Sequence, residues 1–312
     1  MPNWCVNYVK VSAKPVTIES IFDFINSSQA FSKLYNLAFN ASIKLFVAGQ
    51  AGMLRAVTKI DHPIYCELFK QQNYGVGEDN KVNRAFTRFV DMLILKTPMM
   101  EDVCMEILAL FKQSKLANIR WTDIPEHSKQ IITETYINQS FDWFHRIGKN
   151  FNVADEWDRV SNNVQEEDGS IILDAYSLIP LPIDVAINSF NGRLLPKVTS
   201  SYDWNINNLG TKWSSFNIDI IDYTNDYLCF EFDTAWSPST EVSQALSKRY
   251  QCYIEHIYAE QGCCYCGLQE FQNGTLMGGL TNDDLLFSEE DEDGFVDVIG
   301  PSYVMALSHF GG

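Results

Sequence analysis

The chain has 312 residues, 23 Lys and Arg against 40 Asp and Glu, a formal net charge of −17, and a composition that is 46% hydrophobic and 13% aromatic. The length allows one large domain or two of ordinary size, and the apolar content excludes wholesale disorder. The charge excludes a surface built throughout to lie on phosphate backbones, because such surfaces need clustered Lys and Arg.

The first element in chain order is a strand, Trp4 to Ser12, rich in β-branched and aromatic residues and followed by Pro15. A short helix starts near Thr17, with Ile18, Ile21, Phe22 and Ile25 on one stripe. From about 29 to 147 the period stays helical. Phe31, Leu34, Ala38, Ala41 and Leu45 form one stripe; Phe86, Phe89, Val90, Leu93 and Ile94 form a second; Met100, Val103, Cys104, Ile107, Leu108 and Phe111 form a third. Thr97 and Pro98 are placed to cap and open that third helix. A fourth follows Pro125 and runs to Gly148, with Ile131, Phe141, Phe144 and Ile147 inward.

After about 165 the period becomes two. Ser170 to Ser177 reads as a strand that ends before Pro180 and Pro182. Phe216, Ile218 and Ile220, then Leu228, Phe230 and Phe232, read as a hairpin across Tyr223-Thr224-Asn225. Ser237 and Pro238 start a helix with Val242, Ala245 and Leu246 inward, and Gln251 to Tyr258 and Cys264 to Phe271 are two more strands. Gly274 to Gly279 reads as a glycine-containing exit from the sheet, and the remaining residues read as an acidic tail ending in the apolar run Val298 to Phe310. These elements predict an α+β fold, an antiparallel sheet with helices on one face, interrupted by a large all-helical insertion. The expected parts are a discontinuous core over 1–28 and 165–275, the insertion over 29–164, and an acidic C-terminal extension over 276–312.

Charge follows the same divisions. Residues 28–150 carry fifteen basic and twelve acidic side chains, residues 151–249 six and fifteen, and residues 250–312 none and eleven. The start, Met1-Pro2-Asn3-Trp4, has no cationic stretch followed by an apolar run, so no secretory signal is read, and no segment approaches the ~18 apolar residues of a membrane span. The eight cysteines (Cys5, Cys66, Cys104, Cys229, Cys252, Cys263, Cys264, Cys266) therefore read as reduced thiols of a cytoplasmic protein.

Four motifs in order resemble the YubB-like ferredoxin-domain family of plasmids and phages. They are Asn3-Trp4-Cys5-Val6-Asn7; Tyr202-Asp203-Trp204 leading to Gly210-Thr211-Lys212-Trp213; Phe232-Asp233-Thr234-Ala235-Trp236-Ser237-Pro238; and the hairpin with His256, Tyr258, Glu260, Gly262, Cys266 and Gly267. Leu209 stands where that family usually has Trp. The resemblance covers roughly 1–27 and 170–274. It implies a ferredoxin-like fold and a home on a mobile genetic element in a bacterial host cell, and it implies no reaction.

Candidate sites arise from these motifs. Trp4, Asn7, Trp204, Lys212, Trp213, Asp233, Thr234 and Trp236 would form a ligand or partner pocket in which indoles stack on a planar group, or else a core in which Asn and Asp satisfy the indole N–H groups. Cys252, His256, Cys263, Cys264 and Cys266 include zinc-binding types, but the spacing is a poor match to paired Cys-x2-Cys ligands, so packed thiols are the reading and no metal or cofactor is expected. A Cys nucleophile with His256 as base lacks a visible orienting group. Asp155-Glu156-Asp158 and Glu166-Glu167-Asp168 read as a solvated linker, Gly75-Val76-Gly77-Glu78 as an inter-helix loop, and Lys81, Arg84 and Arg88 as a local positive stripe. Glu289, Glu290, Asp291, Glu292 and Asp293 are either a solubilising loop or an imitation of a phosphate run.

No nucleotide loop, nucleophile elbow or standard zinc spacing is present, which leans the reading away from an enzyme. The expected function is a non-enzymatic accessory protein that binds and modulates a host or anti-phage defence protein, without membrane association or direct nucleic-acid binding. The alternative is a small-ligand or nucleotide-signal binder that uses the tryptophan pocket.

Overall fold

The computed structural model describes residues 3–60, 62, 76–139, 152–159, 171–188, 192, 194–195, 197–290 and 296–311. In chain order the elements begin with β1 (Trp4–Ser12), α1 (Pro15–Gln50), α2 (Lys81–Ile94), α3 (Glu101–Gln113), α4 (Glu126–Gln139), α5 (Val153–Arg159) and β2 (Ile172–Asp174). They continue with α6 (Ile183–Asn188), α7 (Ser201–Leu209), β3 (Ser215–Asn217), β4 (Asp219–Tyr223), β5 (Tyr227–Ala235) and α8 (Thr240–Tyr250). The last are β6 (Tyr253–Glu260), β7 (Tyr265–Gln272), β8 (Thr275–Asp284), β9 (Leu286–Phe287) and β10 (Val298–Gly300). Two compact units emerge. One contains residues 1–30, 169–179 and 205–312, the other residues 31–168 and 180–204, and the partition passes through α1 and α7.

The first unit is α+β. Its six-stranded sheet has the order β4-β5-β1-β6-β7-β8, with every pairing antiparallel. The succession β1, α1, β4, β5, α8, β6 with β1 between β5 and β6 is the ferredoxin-like arrangement, extended by β7 and β8. Strand alternation separates two faces. Asn7, Val9 and Val11 lie opposite Tyr258, His256 and Ile254, and α8 sits on this face through Ser239 and Ser243. α1 adjoins α8, with the Phe24 and Tyr250 rings 5.9 Å apart. The other face carries Val6, Ile257 and Ala259, which pack with Val304 and Leu307 of the C-terminal segment.

Three differences from the sequence expectation concern this unit. First, the short helix near Thr17 and the stripe from Phe31 are one 36-residue helix. No Pro or Gly lies between Pro15 and Gly49. The polar run at 26–28 does not break the helix because Asn26 and Ser27 donate to the carbonyls of Phe22 and Phe24. Second, the 216–220 stretch is split, so that β3 pairs with β2 and only β4 joins β5. Third, residues 276–312 are no separate extension. β8 is the sixth strand, and Val304 and Leu307 are core residues. The signal for β8 was in the sequence: Asn273-Gly274 have φ of 52° and 81°, the conformation that a two-residue hairpin turn requires. Helix starts also differ. α8 begins at Thr240 while Ser237 donates instead to Gly210 O, and Pro98 forms a bridge to Pro182 rather than opening α3.

The second unit is helical. α2 and α3 bury Phe86, Phe89, Leu93, Cys104, Ile107 and Phe111. Asp155, Glu156 and Asp158 lie not on a solvated linker but on α5. That helix is held by the fully buried Trp157, whose indole donates to Ile119 O at 2.9 Å. Beside it, the ammonium of buried Lys44 donates to Trp157 O at 3.1 Å and sits 4.3 Å from the indole centroid, and burial lowers its pKa to about 8. The inward Phe141, Phe144 and Ile147, the Glu166-Glu167-Asp168 run and Cys66 lie outside the described residues.

Candidate functional site

The Asn-Trp-Cys-x-Asn motif opens β1, and strand alternation sends its two ends of function to opposite faces. Asn7 points into the helix-covered face and is fully buried. Its amide nitrogen donates to Cys5 O, Phe232 O and Thr234 Oγ1 at 2.9, 3.2 and 2.8 Å, and its oxygen accepts from Ser239 N at 3.2 Å. The same oxygen is 3.0 Å from His256 Nε2, and His256 Nδ1 is 2.8 Å from Ser243 Oγ. An amide oxygen cannot donate, so Nε2 carries the imidazole proton and Ser243 donates to Nδ1. Burial of the whole ring lowers the His256 pKa to about 3. Asn7 and Thr234 are therefore ties between β1, β5, β6 and the start of α8. Every polar atom of the Asn7 amide is used within the fold, while Thr234 also borders a cleft on the sheet. His256 is engaged on both nitrogens and is not positioned as a base for a cysteine.

On the other face the sheet opens into a cleft of about 570 Å³. Trp4 and Trp213 form one wall, with ring centroids 5.6 Å apart and planes inclined by 43°. Trp213 is held there by the 209–212 turn, where Gly210 has φ of 74°, Thr211 Oγ1 donates to Ala235 O, and Asn205 donates to Lys212 O. The floor is acidic. Glu231 and Asp233 are two apart on β5 and so share a face, and Asp219 of β4 is directly opposite Glu231. Like charges facing across a ladder destabilise a sheet. Burial raises the Asp233 pKa, His309 opposes that, and Glu231 and Asp219 add to it.

The C-terminal segment supplies the remaining wall through Ser308 and His309. Buried Glu231 accepts from Ser308 N at 2.8 Å and from Ser308 Oγ, and His309 Nε2 lies 3.5 Å from Asp233 Oδ1. Glu231 is thus satisfied, while Asp233 and Asp219 face the opening. An aromatic wall beside the carboxylates of Asp219 and Asp233 is chemistry that suits a cation with a flat or apolar body, above all a guanidinium, which can stack and form a paired contact to a carboxylate. It disfavours phosphates.

Trp236 stands just beyond β5 with φ of 73° and is 49% exposed. A bulky residue in the left-handed region is an outlier that its surroundings must enforce. Here its N–H donates to Asn3 O and its carbonyl accepts from Tyr265 Oη at 2.7 Å. Lys212 Nζ lies 4.5 Å from the Trp213 centroid and 5.9 Å from that of Trp236, and burial lowers its pKa. Of the eight motif residues, Trp4, Trp213, Asp233 and Thr234 border the cleft, Lys212 adjoins both Trp213 and Trp236, Asn7 is behind the sheet, and Trp204 belongs to the helical unit on α7. Asp219, Glu231, Ser308 and His309 were missed. The spacing of Glu231 and Asp233 between Phe230 and Phe232 was a readable sign for two of them, whereas Ser308 and His309 arrive through a long-range return of the chain.

The other sequence candidates disperse. Cys5, Cys104, Cys229, Cys252 and Cys266 are buried, and Cys263 and Cys264 are exposed in the β6–β7 turn. Among the described residues no group of three or more His, Cys, Asp or Glu could hold a metal ion. Arg84 is paired with Asp79 and Arg88 with Glu106, so most of the positive stripe is neutralised locally. Gly77 donates to Ala56 O in a loop before α2, and Gly75 is outside the described residues. Glu289 and Glu290 are exposed; Asp291, Glu292 and Asp293 also lie outside the described residues.

Fold and cleft define a ferredoxin-like α+β protein with a helical unit and an acidic, tryptophan-walled recess. Residues 33–213 match the family model described as protein of unknown function (DUF1281), and residues 215–301 match one described as the ferredoxin-like domain in Api92-like protein. The chain belongs to the DUF1281 family. It is similar to the uncharacterized protein YubB of Escherichia coli (strain K12), with 35% identity over 133 residues, 42% of this chain and 92% of that one. Similarity to the uncharacterized protein YubA of the same strain is 32% over 167 residues, 54% of this chain and 96% of that one. The crystal structure of a protein api92 from Yersinia pseudotuberculosis superposes with a TM-score of 0.74 at 27% identity, covering 92% of this chain and 100% of that one. No helix among the described residues is long and apolar enough to cross a membrane.

Proposed function

We propose that this chain is a non-enzymatic binding protein of a plasmid or phage, and that its acidic cleft captures a basic side chain, best an arginine, presented by a host or defence-system protein. One observation carries this reading: Asp219, Glu231 and Asp233 occupy neighbouring positions on one sheet face, beside the Trp4–Trp213 wall, at a cost in repulsion that folding alone does not call for. Electrostatic attraction of a basic partner would speed association and make it sensitive to salt. A small cationic ligand fits the same chemistry. A nucleotide signal fits it poorly, because its phosphates would meet the carboxylates.

Affinity purification from bacterial cells tests this reading. The wild-type chain is expected to retain a protein partner that is released as salt rises, and the Trp4→Ala/Asp233→Asn variant is expected to lose it. Asp233→Asn relieves the cost of burying the charge and the repulsion with Glu231 and Asp219 but gives up the His309 contact, so its melting temperature should change little. Retention of the same partner by the double variant, or by the wild type at every salt concentration, would overturn the proposal; a retained small cation in place of a protein would move it to the ligand form.

A further inference from the structure

β8 closes one end of the six-stranded sheet, and among the described residues no strand pairs with its outer edge. An open edge is a template for another chain, and soluble proteins usually blunt such an edge with Lys, Pro, β-bulges or a very short strand; β8 has ten residues, two register irregularities against β7, and a pair of Asp at its end. The β8 sequence Thr275-Leu276-Met277-Gly278-Gly279-Leu280 contains neither Lys nor Pro, and Leu276, Met277 and Leu280 are 53%, 63% and 52% exposed. Leu276 is opposite Phe271, which pairs with Ile254; Leu280 is opposite Leu268, which pairs with Ile257. Those two ladders run on opposite sheet faces, so β8 offers apolar side chains on both. That is the pattern of a strand flanked on each side rather than of an edge. The opposite edge, β4, has five residues, two of them Asp.

We propose that β8 is a strand-addition surface that takes an extended segment of a partner protein in which Lys or Arg alternates with apolar residues. Backbone pairing would supply the affinity, with the apolar side chains of the segment on the face of Leu276 and its Lys or Arg on the face of Glu270. Charge selects the occupant. Asp283 and Asp284 end the strand, Glu270 lies opposite Gly278, and residues 250–312 carry eleven acidic side chains and no Lys or Arg. A second copy of this chain would set like charges against each other, whereas a basic segment neutralises them. The surface is at the far end of the sheet from β4, so it is independent of the cleft.

Hydrogen exchange of the full chain with a synthetic eight-residue peptide of alternating Val and Lys tests this inference, with a Val and Glu peptide as control. Amides of 275–284 should slow by about tenfold or more with the Val-Lys peptide, be unaffected by the control, and lose the effect in an Asp283→Lys/Asp284→Lys variant. Equal protection by both peptides, no protection by either, or protection confined to β4 would overturn it. Slowing that depends on protein concentration without peptide would also overturn it, in favour of self-pairing.

Discussion

Replacing Asn7 with alanine is expected to lower the free energy of unfolding by about 4 kcal/mol, because one small amide satisfies a connected set of buried groups. The substitution removes the donor to Cys5 O, Phe232 O and Thr234 Oγ1 and the acceptor for Ser239 N and His256 Nε2, and all of it lies at a site closed to water. The orphaned His256 N–H and Ser239 N–H carry most of the loss, since an unpaired buried donor costs more than the bond it made. Urea denaturation followed by circular dichroism reads the change directly. The same network sets acid behaviour. With a folded pKa of about 3 against 6.5 unfolded, His256 makes no pH-dependent contribution above pH 6.5. Between pH 6.5 and 3 the unfolded chain takes up a proton that the folded chain refuses, so stability falls by about 1.4 kcal/mol per pH unit. That part of the slope should vanish in His256→Gln. A loss in Asn7→Ala below about 1 kcal/mol, with an unchanged acid slope in His256→Gln, would mean that water reaches these groups.

Deletion of residues 302–312 is expected to destabilise the ferredoxin-like unit by about 5 kcal/mol or more, enough to abolish a cooperative transition in a marginal chain. The segment places Val304 and Leu307 in the core under Val6, Ile257 and Ala259, and packs Tyr303 and Phe310 against it. It also supplies both Ser308 donors to Glu231, a carboxylate that is only 4% exposed, and Tyr303 Oη donates to Asp283 Oδ2 at 3.1 Å. Removing them leaves Glu231 buried without these two donors, which is costly in itself. Differential scanning calorimetry of the deletion and of Ser308→Ala separates the two parts. The point variant should lose only about 1–2 kcal/mol. If the deletion melts as the full chain does, the segment is disposable.

Much of this could be read from the sequence where the cause is local. The period-two runs that became β5 and β6 and the stripes of α2 and α3 are set by neighbours within one element. What failed was decided by distant contacts or by compensation. Nothing near residue 28 shows that α1 continues, since the polar run looks like a break until its side chains bond back to the preceding turn. The C-terminal segment read as an acidic tail because of the carboxylates at 283–297; the apolar run Val298 to Phe310 behind them was visible, but its docking through Val304 and Leu307 on the sheet is a long-range contact that has no local sequence period. The cleft was half legible. The tryptophan motifs led to Trp4 and Trp213, but strand alternation turned Asn7 away from them. The acidic floor needs the β4–β5 register, which sequence spacing alone does not supply.

The central claim is that the Trp4–Trp213 cleft recognises a guanidinium through its carboxylates, and the seven indole N–H resonances provide the direct test. In a nuclear magnetic resonance titration with N-acetylarginine amide, the Trp4 and Trp213 signals are predicted to move progressively. Trp121 and Trp157 of the helical unit should stay fixed, and the uncharged citrulline analogue should move none. Asp233→Asn should abolish the arginine response while the folded spectrum is retained. Equal shifts with arginine and citrulline amides, or Trp4 and Trp213 signals that do not respond to arginine, would contradict the claim.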